Sequence, residues 1–197
     1  MKTYFTSDHH FNHTNIIRYC NRPYTSVEEM NEDMVRRWNE TVSNEDTVYY
    51  LGDFSLQPKE VEYWLSRLNF KVIHLYLGNH DAPFKKPSLD NRYKQWGFTS
   101  VRTTGIFEKD QYKFFLSHLP YKGLEGGDYE ERYADLRPTD KGDWMLCGHV
   151  HEKWKIKNKM INVGVDVWNG RPVSLETLLS VRNNNNGDIN RWVKERA

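Results

Sequence analysis

The chain has 197 residues, of which 38% are hydrophobic and 14% aromatic, and its net charge is +1. Aromatic side chains bury a large area each, so this composition excludes an intrinsically disordered chain, and the length predicts one domain with a substantial core. The near-neutral charge excludes a protein that coats polyanions through its bulk charge, but it leaves room for a local basic groove.

The N-terminal segment and the cysteines indicate where the protein works. Residues 1–8 lack the apolar core of a signal peptide, and no apolar run is long enough to span a bilayer. Cys20 and Cys147 lie far apart and outside any Cys-x-x-Cys motif, so they predict no disulfide framework. We therefore expect a cytoplasmic protein with reduced thiols and no membrane partner, and its oligomeric state stays open.

The first half of the chain alternates predicted strands and helices. Residues rich in β-branched and aromatic side chains predict strands over 2–7, 47–51 and 71–77. Ser26 resembles the start of a capping box, and Pro58 suits the first position of a second helix. The resulting β-α-β-α-β order predicts a parallel sheet with right-handed crossovers.

The second half of the chain has a different order of elements. The pattern predicts a short helix over 89–96 that ends before Gly97, and one hairpin formed by strands 101–107 and 112–117. It then predicts a strand over 144–147, a second hairpin formed by 154–157 and 160–163, and a helix over 174–180. We predict a domain over 1–182, followed over 183–197 by a polar linker and a tail that includes a short helix through Ile189, Trp192 and Val193.

Polar side chains that bind metals or carry protons follow five of the predicted strands. They are Asp8 and His10, then Asp53, then Asn79, His80 and Asp81, then His118, and finally His149 and His151. A lone histidine after a strand is usually a loop residue, but five such segments are hard to assign to turn chemistry. Imidazole, carboxylate and amide groups together suit divalent metal ions.

Two metal ions in one pocket repel each other, so a carboxylate has to lie between them, and Asp53 is the candidate bridge. Such a pair of ions, about 3.5–4 Å apart, binds a phosphoryl oxygen from both sides and lowers the pKa of a bound water. The residue types therefore point to hydrolysis of a phosphoester.

The remaining polar residues near these segments have simpler interpretations. In an extended chain residues i and i+2 share a side, so Asp8 and His10 would face the site and His9 would point away into a structural role. His13 either contacts substrate or caps the helix that begins at Thr14, and we favour the cap. Cys147 is predicted to be a small buried apolar residue.

Taken in order, the motifs Asp-x-His, Gly-Asp, Gly-Asn-His-Asp, a later His and Gly-His-x-His resemble the calcineurin-like metallophosphoesterase superfamily, and residues 162–175 are similar to the C-terminal end of its small bacterial and phage members. The resemblance implies an α/β fold of four layers, in which two packed mixed sheets are flanked by helices. It implies that Asp8, His10 and His151 hold one metal, that Asn79, His118 and His149 hold the second, and that Asp53 bridges them. His80 would be the catalytic acid or substrate clamp, oriented by Asp81.

The resemblance also implies a reaction, in which metal-bound hydroxide attacks phosphorus. The expected cofactors are two divalent ions, with Mn²⁺ favoured over Fe, Ni²⁺ or Zn²⁺. We expect a phosphodiesterase for nucleotides or nucleic-acid ends, because the loop 123–138 offers Tyr129, Arg132, Tyr133 and Arg137 to a base and a phosphate. The segment after Asp53 lacks the extra acidic residue of some relatives, which weakens any transfer of substrate identity.

Three alternatives to a phosphodiesterase stay open. One is a phosphomonoesterase of the same fold. Another is a non-catalytic binding module, although such a scaffold need not retain a full set of ligands. The third is a nucleic-acid-binding protein that uses Lys153, Lys155, Lys157 and Lys159 as a basic stripe on one strand face, whereas lysines on an edge strand more commonly block aggregation.

Overall fold

Two five-stranded sheets form the centre of the computed structural model, which describes residues 1–123 and 133–185. The first sheet has the order β10-β1-β2-β3-β4, in which the first four strands of the chain are parallel and β10 runs antiparallel to β1. Its strands are β1 (Thr3–Thr6), β2 (Thr47–Tyr50), β3 (Val72–Tyr76), β4 (Ser100–Arg102) and β10 (Val173–Ser174). The predicted parallel β-α-β-α-β arrangement is confirmed.

The second sheet has the order β5-β6-β7-β9-β8, with parallel strands at its centre and an antiparallel strand at each edge. Its strands are β5 (Thr104–Lys109), β6 (Tyr112–Ser117), β7 (Met145–Cys147), β8 (Ile156–Lys157) and β9 (Met160–Asn162). Both predicted hairpins are present, as β5–β6 and β8–β9. Both sheets are mixed, as the resemblance implied.

In residues 1–123 and 133–185, six α-helices flank the sheets: α1 (Thr14–Tyr19), α2 (Val27–Thr41), α3 (Val61–Ser66), α4 (Ala82–Lys85), α5 (Asp90–Gln95) and α6 (Leu175–Asn184). Ser26 begins α2 as predicted, since its hydroxyl accepts a hydrogen bond from the Glu29 amide at 3.1 Å. Within the described residues, no helix has the length and apolar character needed to cross a membrane.

Two apolar layers hold the sheets and helices together. Between the sheets, Phe5 of β1 stacks on Tyr49 at a ring separation of 5.2 Å and meets Phe107 of β5 edge-on at 5.1 Å. On the other face of the first sheet, the apolar side of α2 packs on β2, where Trp38 and Tyr50 are both fully buried. This side of the helix therefore supports the sheet that carries the first candidate ligands.

The structure corrects two predicted element boundaries. The single strand predicted over 101–107 is two strands, because β4 pairs with β3 in the first sheet and β5 pairs with β6 in the second. A continuous β pattern does not say which neighbour each part will pair with. Helix α6 continues through Asn184, so part of the predicted linker is helical, while Ile189, Trp192 and Val193 lie outside the described residues. The division of the chain after residue 182 stays a prediction.

Candidate metal centre

The predicted site residues come together where the carboxyl ends of the central strands of both sheets meet. Asp8 follows β1, Asp53 follows β2 and Asn79 follows β3, while His118 and His149 follow β6 and β7 of the second sheet. A bridge between Ser7 and Gly164 joins the two sheets at this edge. The His149 amide crosses from one sheet to the other by donating to the Asp8 carboxylate at 3.1 Å and 3.2 Å.

The backbone at this edge is left-handed at several non-glycine residues. The φ angles of Asp8, His10, Asp53, His149 and His151 are +62°, +53°, +58°, +71° and +49°. Each such conformation costs on the order of 1–3 kcal/mol and persists only when its surroundings hold it in place. Strained backbone of this kind clusters at functional sites, and five motif residues have it, although six other described residues, such as Asn12 and Asn158, are left-handed too.

This backbone also corrects the geometry behind one prediction. Asp8 and His10 were expected to share a side because the chain is extended there, but both residues are left-handed. The outcome is nevertheless as predicted, because both face the site while His9 packs away from it. The His9 ring is fully buried, lies 2.7 Å from the Tyr50 hydroxyl and packs against Phe11.

Asp53 lies between two groups of donor side chains. Its Oδ2 is 3.4 Å from His10 Nε2 and 3.4 Å from His118 Nε2, and its Oδ1 accepts a hydrogen bond from the His80 amide at 2.8 Å. The carboxylate is almost fully buried, with 1% of its surface exposed. A buried carboxylate with an imidazole on each side is arranged as a shared ligand would be.

The first donor group consists of Asp8, His10 and His151. One ligand atom from each lies within 4.8 Å of the others, and the rings of the two histidines are 5.1 Å apart. His10 Nε2 is buried and has no hydrogen-bond partner among the described residues, although Asp8 and Asp53 carboxylate oxygens lie 3.9 Å and 3.4 Å away. Because an orphaned buried imidazole nitrogen between carboxylates suits a cation, a divalent metal fits here.

The second donor group consists of Asn79, His118 and His149. His118 Nε2 is 3.2 Å from the Asn79 side-chain oxygen, and the His118 and His149 rings meet edge-on at 5.3 Å. Burial, together with the neighbouring His118, lowers the pKa of His149 to about 2, so its ring is neutral and keeps a lone pair for a metal. Burial also lowers the pKa of His118, but the Asp53 carboxylate outweighs burial and raises it to about 9.

Sequence reasoning missed the buried ion pair behind the first donor group. Arg22 binds both carboxylate oxygens of Asp166, at 2.7 Å and 3.0 Å, and also donates to the Asp8 and His9 carbonyls at 2.6 Å and 2.9 Å. Asp166 in turn lies 2.9 Å from His151 Nδ1 and so orients that ring. The signal that was available is an acidic residue inside an apolar run, since a buried carboxylate requires a partner.

The structure gives Asp81 a different role from the predicted one. Its carboxylate accepts hydrogen bonds from the Gly78, Asp53 and Phe54 amides at 2.8, 2.9 and 3.0 Å. Both oxygens are therefore engaged with main chain, and no hydrogen bond joins Asp81 to the His80 ring in the part of the chain that the structure describes. Asp81 fixes the turns that carry Asp53 and Asn79, and these contacts give no support to the prediction that it orients His80.

His13 likewise does not act as the favoured helix cap. It occupies the N-terminal position of α1, but its side chain makes no capping hydrogen bond. Its Nδ1 lies 3.4 Å from His10 Nδ1, and its ring is 5.8 Å from the exposed ring of His80. His13 therefore lies in the wall of the site, and contact with substrate, the other interpretation of this residue, stays a prediction.

A cavity of about 430 Å³ opens above the two donor groups. It is lined by His10, His13, Ile16, Tyr19, Cys20, Asp53, Asn79, His80, Tyr133, His149, His151, Glu152 and Lys153. Tyr133 is the residue of the predicted substrate loop that lines it, and its ring lies 6.1 Å from that of His149. Arg137 is buried, while Tyr129 and Arg132 lie outside the described residues.

The predicted basic stripe does not form one strand face. Strand β8 contains only Ile156 and Lys157, so the four lysines are not displayed along a single strand. The ammonium group of Lys155 lies 3.6 Å from the centre of the Trp168 ring, and Lys159 donates to the Gly142 carbonyl at 2.9 Å. These contacts weaken the interpretation of the stripe as a nucleic-acid surface.

Most of the chain is similar in sequence to a known protein family and to individual proteins from an archaeon and a phage. A sequence model of the calcineurin-like phosphoesterase superfamily domain matches residues 1–172. An uncharacterised protein of Methanocaldococcus jannaschii is 33% identical over 190 residues, covering 91% of this chain and 90% of that protein. The gene 66 protein of Mycobacterium phage L5 is 30% identical over 201 residues, covering 92% and 94%. The crystal structure of a protein of unknown function from Aquifex aeolicus, 24% identical, has a similar fold, with a TM-score of 0.68 over 91% of this chain and 98% of that chain.

Proposed function

The chain belongs to the calcineurin-like phosphoesterase superfamily, and we propose that it is a two-metal phosphodiesterase that hydrolyses nucleotides or the ends of nucleic acids. One observation carries the proposal: the buried Asp53 carboxylate lies 3.4 Å from an imidazole nitrogen of each donor group. A site for one metal has no need of a carboxylate shared in this way. A scaffold without metals would leave His10 Nε2 orphaned at the cost of an unmet buried polar atom.

The donor atoms decide which residues would hold the ions. Asp8, His10 and His151 would hold the first, Asn79, His118 and His149 would hold the second, and Asp53 would contact both. When bound, the ions supply Lewis acidity that lowers the pKa of a water and neutralises the charge on phosphoryl oxygens. Imidazole, carboxylate and amide donors suit Mn²⁺ and are compatible with Fe, Ni²⁺ or Zn²⁺.

His80 would act on the leaving group. Its amide is held by Asp53 at 2.8 Å, and its exposed ring lies 5.2 Å from that of His10 at the opening of the cavity. A fixed main chain with an exposed imidazole is suited to donating a hydrogen bond or a proton to the departing oxygen. Asp81 would contribute only by fixing the turn, because its oxygens are engaged with backbone amides.

The charge of the cavity favours a diester over a monoester. Lys153 is the sole lysine or arginine among the described residues that line it. A phosphomonoester carries about two negative charges near neutral pH, whereas a diester carries one. A described lining with one such side chain suits the less charged substrate.

A pair of chromogenic substrates tests the proposal. The purified protein is loaded with Mn²⁺, Ni²⁺ or Zn²⁺ and assayed on bis-p-nitrophenyl phosphate and p-nitrophenyl phosphate. We expect a higher kcat/KM for the diester. A higher kcat/KM for the monoester would favour the phosphomonoesterase alternative. A fully loaded protein that hydrolyses neither ester would favour the non-catalytic binding module and refute the proposal.

A further inference from the structure

We propose that helix α1 forms a subsite for the nucleobase of the substrate, with Tyr19 as the ring on which that base stacks. This inference depends on the proposed function, since it places the organic part of a phosphoester whose phosphorus lies at the candidate metal centre. It concerns side chains that donate nothing to either ion. It also names the side chain that would recognise the base of the nucleotides in the proposed substrate class.

The cavity extends beyond the donor groups onto α1. Besides the donor residues it is lined by Ile16 and Tyr19 from that helix and by Cys20, which follows it. Pockets of about 300–1,000 Å³ bury most of the surface of a drug-sized organic ligand, so a volume of about 430 Å³ holds more than a phosphoryl group alone. The apolar side of the cavity is therefore available to the rest of the substrate.

A row of rings leads from the metal centre to Tyr19. The His10 and His13 rings are 5.3 Å apart, and the His13 and Tyr19 rings meet edge-on at 6.3 Å with an interplanar angle of 81°. His13 thus packs nearly perpendicular to Tyr19, and 60% of the tyrosine surface stays exposed to another ring. A group joined to a phosphate beside His10 would reach Tyr19 along this wall.

The chemistry of Tyr19 favours a base over an aliphatic group. Although it lines a cavity, 60% of its surface is exposed, which is unusual for so large an aromatic side chain. The Arg18 guanidinium lies 5.5 Å from the centre of the Tyr19 ring, so the pair offers both stacking and a cation–π contact. Stacking of one base on an aromatic side chain contributes about 1–3 kcal/mol and tolerates any base.

The chain contains a matched control for Tyr19. Tyr63 in α3 is similarly exposed, at 52%, and has the Arg67 guanidinium 5.6 Å from its ring centre. Unlike Tyr19, it does not line the cavity above the donor groups. Replacing either residue removes an exposed tyrosine that contacts an arginine. A loss of nucleotide binding that occurs on replacing Tyr19 but not Tyr63 therefore indicates the subsite.

The test compares how variants bind two ligands in the presence of Mn²⁺. Titration calorimetry measures the Kd of adenosine monophosphate and of inorganic phosphate for the wild type, Tyr19→Ala, Tyr19→Phe and Tyr63→Ala. We expect Tyr19→Ala to weaken binding of the nucleotide about fivefold or more, which is the lower end of the stacking energy. Its affinity for inorganic phosphate should be unchanged. Tyr19→Phe and Tyr63→Ala should bind both ligands as the wild type does.

The outcomes separate failure of the subsite from failure of the proposed function. Nucleotide binding unchanged by Tyr19→Ala, or weakened equally by Tyr63→Ala, would overturn the subsite. So would a wild type that hydrolyses bis-p-nitrophenyl phosphate but binds the nucleotide no more tightly than inorganic phosphate. A wild type that binds neither ligand and hydrolyses no ester would refute the phosphoesterase proposal together with the subsite.

Discussion

The two donor groups of the candidate metal centre are held in place by different means. A buried side-chain ion pair supports the first group, because Arg22 joins the Asp8 and His9 carbonyls to Asp166, which orients His151. Main chain supports the second group, because His118 Nδ1 lies 2.8 Å from the Leu51 carbonyl and Asp81 binds the Gly78 amide just before Asn79. The first group therefore depends on an ion pair between residues that are far apart in the sequence. The second group depends on hydrogen bonds to nearby main chain.

Because the supports differ, a substitution can remove metal binding by one group without removing it from the other. The Arg22–Asp166 pair spans 144 positions of the chain, so removing it leaves the loops of the second group in place. At the second group, Gly52 has a φ of +89°, and a Cβ there would lie 2.8 Å from His118 Nδ1. Asp53 lies 3.4 Å from an imidazole nitrogen of each group, so changes near it should affect both ions.

The largest effect is expected from Gly78→Ala, where the two groups meet. A Cβ at this position would lie 2.1 Å from Asp53 Oδ1 and 2.5 Å from the Asp53 amide nitrogen, so the shared carboxylate must move. Overpacking of this kind destabilises by about 1–3 kcal/mol or more. We expect loss of both ions, measured by metal analysis after dialysis, and a lower Tm. Gly142→Ala also strains the backbone, since φ there is +89°, but its Cβ meets nothing within 4 Å, so both ions should remain bound.

Arg22→Met should break the first group alone. It leaves the Asp166 carboxylate buried without its cation, and breaking a buried ion pair destabilises a protein by about 3–5 kcal/mol. We expect one ion to bind with wild-type affinity and the other to be lost, as counted by titration calorimetry.

Two further variants keep that result interpretable. Arg22→Lys retains the charge but not the fork of donors, so it should fold well and still bind the first ion weakly. Arg67→Met removes a surface arginine that pairs with Glu32 at 2.7 Å, and it should leave both ions bound. Equal weakening of both ions by Arg22→Lys would contradict the separate support of the two groups.

His80→Ala should lower turnover without touching either group. The side chain belongs to neither set of donors, and only its amide contacts Asp53. Loss of a general acid lowers kcat by about 10²–10⁴-fold. Steady-state kinetics on a substrate with an unactivated leaving group, together with metal analysis, checks both parts. His74→Ala, in β3 and away from the cavity, serves as the control. Unchanged kcat in His80→Ala would disprove the acid role.

The smallest effect is expected for an ion pair on the surface, which contrasts with the buried Arg22–Asp166 pair. Desolvation raises the pKa of Asp33, but hydrogen bonds from Tyr24, Arg36 and Arg37 outweigh it and lower the pKa to about 2. Because the folded-state pKa is depressed, this stabilisation is present above the unfolded pKa of about 3.9 and is lost as pH falls toward 2.

We therefore expect Asp33→Asn to lower the free energy of unfolding by about 1 kcal/mol or less at pH 7, since the pair is partly exposed and screened. Urea unfolding of both proteins at pH 7 and at pH 2 measures the difference, which should vanish in acid. Both ions should stay bound to the variant at pH 7. A difference that grows as the pH falls would contradict the assigned sign.

The sequence predicted the convergence of the donors because ligand residues at the carboxyl ends of parallel strands must meet at one edge. It did not predict how Asp8 and His10 are held, since left-handed backbone at a non-glycine residue depends on contacts made elsewhere. Arg22 shows the same limit, because its carbonyl partners follow β1 and its carboxylate partner follows β9. Pairings between distant segments leave no local pattern.

Local patterns also misled at two places. The β pattern over 101–107 predicts strand residues correctly, but it does not predict that the chain changes sheet between Arg102 and Thr104. His13 precedes a helix, so its position suggested a cap, yet contact with His10 at 3.4 Å gives its ring a place in the wall of the site. In both cases a tertiary contact decided between two options that the local sequence permits.

Whether Asp53 is shared by two metal ions is tested by counting the Mn²⁺ ions bound per chain by the wild type and by Asp53→Asn. The Asp53 side chain approaches an imidazole of each donor group, with Oδ2 3.4 Å from His10 Nε2 and from His118 Nε2. We expect the wild type to bind two ions and a folded Asp53→Asn to lose both. Equilibrium dialysis and metal analysis measure the number of bound ions. A variant that keeps two ions with unchanged affinity, or a wild type that never binds more than one, would contradict the shared role of Asp53.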